Sequence, residues 1–473
     1  MTAGNWSGDF WVRNNIPDST IAAIATPPGS GGIGIIRISG SDAFRILTTL
    51  FSPENSSGIY QSHKLYHGWL CNKDRERVID EVLVTHMKAP KTYTREDVAE
   101  IHCHSSYPVM EEILEEVLEC GARLAEPGEF TKRAFLNGRI SLSQAEAVAE
   151  LLKARTRKGR DLALSSLRGE FQKEVEKIRD GFLSLKATVE VAIDFPEEDV
   201  EILDDLILKE KAQKEIIAPL ERLITASDQG KIYREGVSLL ILGRPNVGKS
   251  SLLNRLLKED RAIVSSVPGT TRDTIEEVIN VKGMVANIID TAGIRHTEEE
   301  VEGIGVERAR TKIADADIII FLLDGSEDIT GEDHNLYELI KSKPLLLVVN
   351  KIDISSHDPH RFSELFPGHP LIPVSALQNL GIKDLEQAVF DLVAGGRDLD
   401  PGADCVPNTR QTRVLKDTLA AGYRFLEGVT DRLPPDLLAL DLQAGLDCLG
   451  DIVGETSTED VLDLIFQEFC LGK

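Results

Sequence analysis

Gly243-Arg-Pro-Asn246-Val247-Gly248-Lys249-Ser250 follows directly on the apolar run Val237 to Leu242 and leads into residues 251–258, whose apolar spacing predicts an amphipathic helix. A Gly-x4-Gly-Lys-Ser loop between a buried strand and a helix is the context in which this motif holds phosphate. Glycine at both ends lets successive peptide N–H groups turn toward phosphate oxygens, and the helix N-terminus adds a favourable dipole. Lys249 is expected to neutralise the β and γ phosphates, and the Ser250 hydroxyl to reach a magnesium ion. Asn246, Val247, Gly248 and Ser251 complete the expected nucleotide-contacting loop.

Further segments keep the order of a GTP-binding domain. Ser265-Ser266-Val267-Pro268-Gly269-Thr270-Thr271 is rich in hydroxyls, and Thr271 is expected to complete the magnesium shell. Asp290-Thr291-Ala292-Gly293 closes an apolar run with a carboxylate and a glycine that leaves room for the γ-phosphate. Asn350-Lys351-Ile-Asp353 ends another, and the Asp353 carboxylate can accept from the N1 and N2 hydrogens of guanine, a donor pair that adenine lacks. A buried carboxylate left without its partner costs about 1–3 kcal/mol, which selects GTP over ATP by on the order of a hundredfold. Ser375-Ala376-Leu377 fits the remaining base-contact loop. Ile294 stands where Ras-like proteins carry the glutamine that orients the attacking water, so another group has to do so here. Residues 298–305, Glu-Glu-Glu-Val-Glu-Gly-Ile-Gly, read by themselves as a solvated acidic loop.

From Gly236 to about Gly396 buried strands alternate with helices, at 237–242, 285–290, 318–324, 345–350 and 371–374, which predicts a mostly parallel sheet covered on both faces, an inserted Ras-like P-loop GTPase domain over 236–396. Residues 20–139 alternate short β-rich runs at 33–38, 78–87 and 98–103 with one helical stretch at 109–119, which predicts an N-terminal α+β domain. Residues 140–235 and 397–473 carry helical periodicity, broken at Asp194-Phe-Pro196. The second segment is the natural packing partner of the first, so the α/β domain reads as inserted into a discontinuous helical domain. The expected fold class is multidomain, α+β and α/β.

At 473 residues the chain exceeds the usual single-core size. Its apolar runs fall well short of the about 20 residues that span a bilayer, so no membrane segment is expected. Residues 1–19 hold neither a continuous apolar stretch nor a cationic leader, and no secretory signal is expected. Six cysteines without CxxC spacing fit thiols in a reducing cytoplasm. A net charge of −25, from 78 acids against 53 bases, disfavours broad binding to a phosphate backbone, so nucleic-acid contact has to be local or shared with a partner. Arg37 and Glu100 alone read as surface ion-pair residues. His102-Cys103-His104 alternates between faces if it lies on a strand, which disfavours reading it as a metal site.

Outside the GTP motifs the chain carries Ala25-Thr-Pro-Pro-Gly29 with Gly34-Ile-Ile-Arg37-Ile-Ser-Gly40, then Pro127-Gly-Glu-Phe-Thr-Lys-Arg-Ala-Phe-Leu-Asn-Gly-Arg139 with Gln144-Ala-Glu-Ala147, and the terminal Phe469-Cys470-Leu-Gly-Lys473. With these pieces it resembles the MnmE (TrmE) family of bacterial and organellar tRNA-modification GTPases from Thr20 onward. The resemblance implies that the chain acts with the flavoprotein MnmG, which carries FAD, in a heterotetramer or larger complex. Together they would install an aminomethyl or carboxymethylaminomethyl group at carbon 5 of the wobble uridine of certain tRNAs. It implies a homodimer formed through an N-terminal domain that binds 5-formyl- or 5,10-methylene-tetrahydrofolate, with Arg37, Glu100, Arg139 and Lys473 matching pocket positions. A guanidinium suits folate carboxylates, and a carboxylate suits the N–H donors of a pterin.

The same resemblance implies a potassium ion held by Asn246, the backbone oxygens of Ser265 and Val267, and Thr270, opposing phosphate charge as an arginine finger does elsewhere. It implies that Glu302 orients the hydrolytic water when two G domains meet, while the neighbouring acids keep the solvated-loop reading. The chain departs from the family pattern at Ser105-Ser106, where two glycines are common, at Arg95, where glycine is common, and at Arg139, where lysine is common. The last change preserves charge but not geometry. Cys470 reads equally as a thiol nucleophile or a docking residue. A competing reading, a ribosome-assembly GTPase switch, needs an RNA-binding module, and no KH-type Gly-x-x-Gly with basic flanks is present.

Overall fold

The computed structural model describes residues 19–27, 29, 31–54, 60–194, 204–260, 277–289, 311–355, 358–394, 405–454, 459–467, 469 and 472. Contacts divide the chain into two compact units. One comprises residues 1–149, 167–208 and 421–473, the other residues 150–166 and 209–420.

The first unit contains a seven-stranded sheet of β1 (Ile21–Ile24), β2 (Ile33–Ser39), β3 (Phe51–Pro53), β4 (Lys64–Cys71), β5 (Val78–Met87), β6 (Val98–His104) and β7 (Arg123–Leu124). Their order is β3-β4-β5-β6-β2-β1-β7, antiparallel except for the β1–β7 pair. Alternation along the strands sends Ile36, Ile38, Val82, Val84, Ala99 and Ile101 into one core, where helices Ala43–Leu50 and Tyr107–Glu119 pack on them. The opposite face then carries Arg37 and Glu100, which are direct cross-strand partners. Three short helices accompany this sheet, Ala43–Leu50, Tyr107–Glu119 and Glu129–Leu136, where the periodicity predicts one. Eight residues give barely two turns, too few for a 3.6-residue repeat to stand out in sequence.

Helix Glu170–Asp194 packs along helix Pro435–Val453 in the same unit. Helix Glu459–Gln467 returns to the strand domain, where Leu462, Phe466 and Phe469 bury against Leu142 and Ala145.

The second unit holds a six-stranded sheet, β8 (Val237–Leu242), β9 (Glu277–Val281), β10 (Met284–Ile289), β11 (Ile318–Asp324), β12 (Leu345–Asn350) and β13 (Leu371–Pro373). The order is β13-β12-β11-β8-β10-β9, parallel except for β9. Both faces are covered, as the continuous apolar runs require. Leu239, Ile241 and Ile320 face helices Lys249–Asp260 and Ile382–Ala394, while Leu240, Ile319 and Phe321 face Ile340, Phe362 and Phe366. The chain leaves β8 toward β10 on one side and later returns to β11 on the other. The loop after β8 therefore lies at the point where strand order reverses, the position at which open α/β sheets bind ligands.

Candidate functional site

The loop after β8 is shaped by its backbone. A side chain on Gly243 would begin 2.3 Å from the carbonyl oxygen of Leu322, and one on Gly248 would begin 2.2 Å from Asn350 Nδ2. Gly248 has φ 100° and Asn246 φ 64°, left-handed conformations that turn consecutive peptide N–H groups toward one side. Helix Lys249–Asp260 starts there, so its first N–H groups face the same space. Lys249 Nζ donates to the carbonyls of Gly243 at 2.8 Å and Arg244 at 2.7 Å, which holds the ammonium in the mouth of the loop. Burial pushes its pKa down, partly countered by the nearby Glu332 carboxylate.

The base-side segments are tied to this loop by Asn350. Its Nδ2 donates to the carbonyl of Val247 at 2.8 Å, and its Oδ1 accepts from the N–H of Ala376 at 3.1 Å. Ser375 and Ala376 are buried and Leu377 is exposed, so the segment presents its outer end to solvent. Lys351, at φ 63°, donates to Asp324 Oδ2 at 2.6 Å. Burial would raise the Asp324 carboxyl, but hydrogen bonds from Lys351 and Ser326 outweigh it and hold the pKa below the usual range. Asp353 is half-buried in the turn that follows, and Ser251 and Asn246 are exposed beside the loop. Hydrogen bonds of Asn350 thus join the loop at Val247 to the 375–377 segment at one end of the sheet. Residues 265–271, 290–294 and Glu302 lie outside the described residues, so the remaining magnesium and potassium positions and the proposed catalytic carboxylate carry no geometry here.

Three residues at this site carry no motif signal. Arg255 donates to the carbonyls of Ala376 at 3.0 Å and Leu377 at 2.9 Å, so the Ala376 peptide is gripped by Asn350 on one side and Arg255 on the other. Arg244, inside the loop, pairs at 2.8 Å with Asp333, a fully buried carboxylate that also caps helix Gly331–Ile340. Asp324 is the third. Each partner lies 27 to 122 residues away, so no local spacing marks them.

In the first unit the structure brings together Arg37, Glu100 and Arg139. Arg37 Nε donates to Glu100 Oε1 at 2.9 Å, with the side chains only 24% and 18% exposed, so this pair is not the surface pair that the isolated residues suggest. The Arg37 guanidinium lies 6.0 Å from the Tyr93 ring centre and 5.8 Å from that of Phe130, and Arg139 lies 4.6 Å from the same Tyr93 ring. Tyr93 is fixed through its hydroxyl, 2.9 Å from Thr131 Oγ1. Two guanidinium groups thus approach one aromatic ring, one of them paired with a carboxylate. The Glu100 pKa is lowered, chiefly by the hydrogen bond with His102 and then by Arg37, against burial. The balance favours the ionised carboxylate.

The carbonyl of Gly472 approaches Arg37 at 3.5 Å, and a side chain at Gly472 would begin 2.3 Å from the carbonyl of Ile24. The C-terminus therefore reaches this site, while Lys473 and Cys470 lie outside the described residues. The 127–139 motif supplies buried charge as well as Arg139. Arg133, 1% exposed, bonds Glu129 at 2.9 Å and Glu96 at 3.1 Å, and Arg123 also binds Glu129. Arg95 adopts φ 60°, which explains why glycine suits that position. Ser106 caps helix Tyr107–Glu119, accepting from Val109 N–H. In the 102–104 strand Cys103 turns into the core, His102 meets Glu100 and His104 meets Asp80.

A family model described as GTP-binding protein TrmE N-terminus matches residues 20–139, and one described as MnmE helical domain matches residues 142–470. The tRNA modification GTPase MnmE of Desulfotalea psychrophila is 47% identical over 461 residues, 96% of this chain and 98% of that protein. The MnmE of Thermoanaerobacter pseudethanolicus is 46% identical over 457 residues, 96% and 99% of the two chains, and that of Enterococcus faecalis 45% identical over 457 residues, 96% and 98%. Among solved structures, Era in complex with MgGDPNP and nucleotides of 16S ribosomal RNA is 29% identical over 33% of this chain and 56% of its own, with a TM-score of 0.27. The G domain of the T. maritima FeoB iron transporter is 25% identical over 33% and 98%, with a TM-score of 0.26. The chain belongs to the MnmE family of tRNA modification GTPases.

Proposed function

We propose that this chain, a GTPase acting in tRNA modification, works with MnmG on carbon 5 of the wobble uridine and draws a one-carbon unit from a tetrahydrofolate. The observation that supports the proposal is the presence, in one chain of this family, of a loop turned by left-handed residues at a helix start and a cluster of two guanidinium groups around a carboxylate whose pKa is lowered. Residues 236–396 are the G domain, residues 20–139 the folate-binding and dimerisation domain, and residues 140–235 with 397–473 the helical domain.

In the G domain, peptide N–H groups of residues 246–251 and the Lys249 ammonium bind phosphate, Ser250 and Thr271 hold magnesium, and Asp353 with residues 375–377 reads guanine. Asn246, Ser265, Val267 and Thr270 hold potassium, whose charge replaces an arginine finger. The left-handed Asn246, exposed at the loop, supports that role. Glu302 orients the attacking water as two G domains meet, and hydrolysis drives the conformational change of the complex. In the N-terminal domain, Arg37 and Arg139 pair with folate carboxylates, Glu100 accepts from the pterin, and Lys473 approaches from the tail.

The face of the first sheet opposite its two helices exposes Ile33, Leu65, Trp69 and Leu83 beside this pocket's strands, which supports a homodimer through that face. GTP hydrolysis measured in potassium and in sodium, and calorimetry with 5-formyl-tetrahydrofolate, test the reading. Equal rates in the two salts and no folate heat would overturn its ion and cofactor parts.

A further inference from the structure

Lys153-Ala-Arg155-Thr-Arg157-Lys158-Gly-Arg160 places five cations and no acid in eight residues of a chain whose net charge is −25. The segment turns the corner between helix Leu142–Lys153 and helix Arg157–Leu167 in the second unit. The corner is rigidly seated. Buried Thr156 accepts from the N–H of Gly159 at 3.1 Å, and a side chain on Gly159 would begin 3.1 Å from the carbonyl of Tyr233. Gly159, Leu162, Ala163 and Ser166 are the buried stripe of the helix, so Arg157 and Arg160 point outward, exposed together with Lys153 and Arg155.

The three arginines of this corner are weakly compensated. Arg155 bonds the neutral amide of Asn287 at 3.4 Å, and Arg157 has no carboxylate partner among the described residues. Arg160 pairs with Asp161 at 2.6 Å, with both side chains more than half exposed, a pair that contributes little. Lys158 stands beside the β9–β10 turn, where Lys282 is exposed. An ordinary solvated helix start carries acids, because cations in the first turn oppose the helix dipole and one another. This start carries three cations and no acid in that turn, an arrangement that a bound polyanion offsets.

We propose that this corner is a contact surface for the phosphate backbone of RNA, the tRNA substrate. The proposal rests on the tRNA-modification reading. It supplies the local contact that an acidic chain needs, since cations at the surface gain affinity by releasing counterions from phosphate.

The test titrates full-length wild type, Arg155→Ala/Arg157→Ala/Arg160→Ala and the matching triple lysine protein with labelled unmodified tRNA across a KCl series. The alanine protein is expected to bind about tenfold or more weakly. Its slope of log K against log salt should fall by about 2–3, because each neutralised phosphate contributes roughly 0.9. The lysine protein should keep the slope. If wild type binds and the alanine protein matches it in affinity and slope, the surface is overturned while the tRNA reading stands. An alanine protein that binds tRNA normally but no longer co-elutes with a flavoprotein partner also overturns it, in favour of an acidic protein surface. A wild-type gene that fails to restore wobble modification in a deletion strain overturns the tRNA reading itself.

Discussion

The nucleotide loop and the Arg37–Glu100 cluster are both proposed to hold an anionic ligand, and they would do it in opposite ways. The loop does it with eight consecutive residues whose backbone conformation makes the site, including left-handed Asn246 and Gly248. The pocket does it with side chains from β2, β6 and the segment after helix Glu129–Leu136, approached by a tail residue 435 positions from Arg37. A site made of backbone is compact in sequence because peptide N–H groups converge only between neighbours. A site made of side chains can draw on any strand that the sheet order brings alongside.

Changes that separate charge from backbone shape sharpen this contrast. The largest effect is expected from Lys249→Ala, which removes the ammonium seated in the loop. GTP turnover, followed by phosphate release, should fall by about 10²–10³-fold, and near-normal turnover would break the assignment of this loop. Glu302→Ala should lower turnover by on the order of a hundredfold with GTP affinity nearly intact; unchanged turnover would remove Glu302 from the chemistry.

Arg37→Ala takes a charged hydrogen bond from a mostly buried carboxylate. Calorimetry should show folate affinity down by about 2 kcal/mol, roughly thirtyfold, and unaltered affinity would show that the pocket is shaped by something other than its cations. Asn246→Ala should leave hydrolysis running but equalise the rates in potassium and sodium.

The smallest effect concerns pH. Glu100 is held below its ordinary 4.5 by His102 and Arg37. Its contribution to stability is therefore present above that value and is lost as pH falls below it. Denaturant midpoints between pH 5 and 3 should fall more steeply for wild type than for Glu100→Gln, and parallel curves would contradict the ion pairing.

What was legible in the sequence follows the same division. The loop, Asn350-Lys351-Ile-Asp353 and the apolar runs of five parallel strands are local patterns, and each lies where those patterns place it. The antiparallel β9 was not, because five residues with apolar Val278, Ile279 and Val281 show too little alternation to mark a strand. Arg255 and Arg244 were invisible because their carbonyl and carboxylate partners come from other elements. Arg37, Glu100 and Arg139 were named through the family resemblance, while the Tyr93 ring that both guanidiniums approach emerges only when β-sheet register and the helix carrying Thr131 are assembled. Ser375-Ala376-Leu377 is weak as a motif, and what the assembled structure adds is that Asn350 and Arg255 both bond its central residue.

The most direct test of the whole account is mass analysis of tRNA nucleosides from a deletion strain complemented with this gene or with its Lys249→Ala form. The wild-type gene is predicted to restore carbon-5 modification of the wobble uridine and the Lys249→Ala gene to leave it unmodified. Wobble uridines that stay unmodified with the wild-type gene would contradict it.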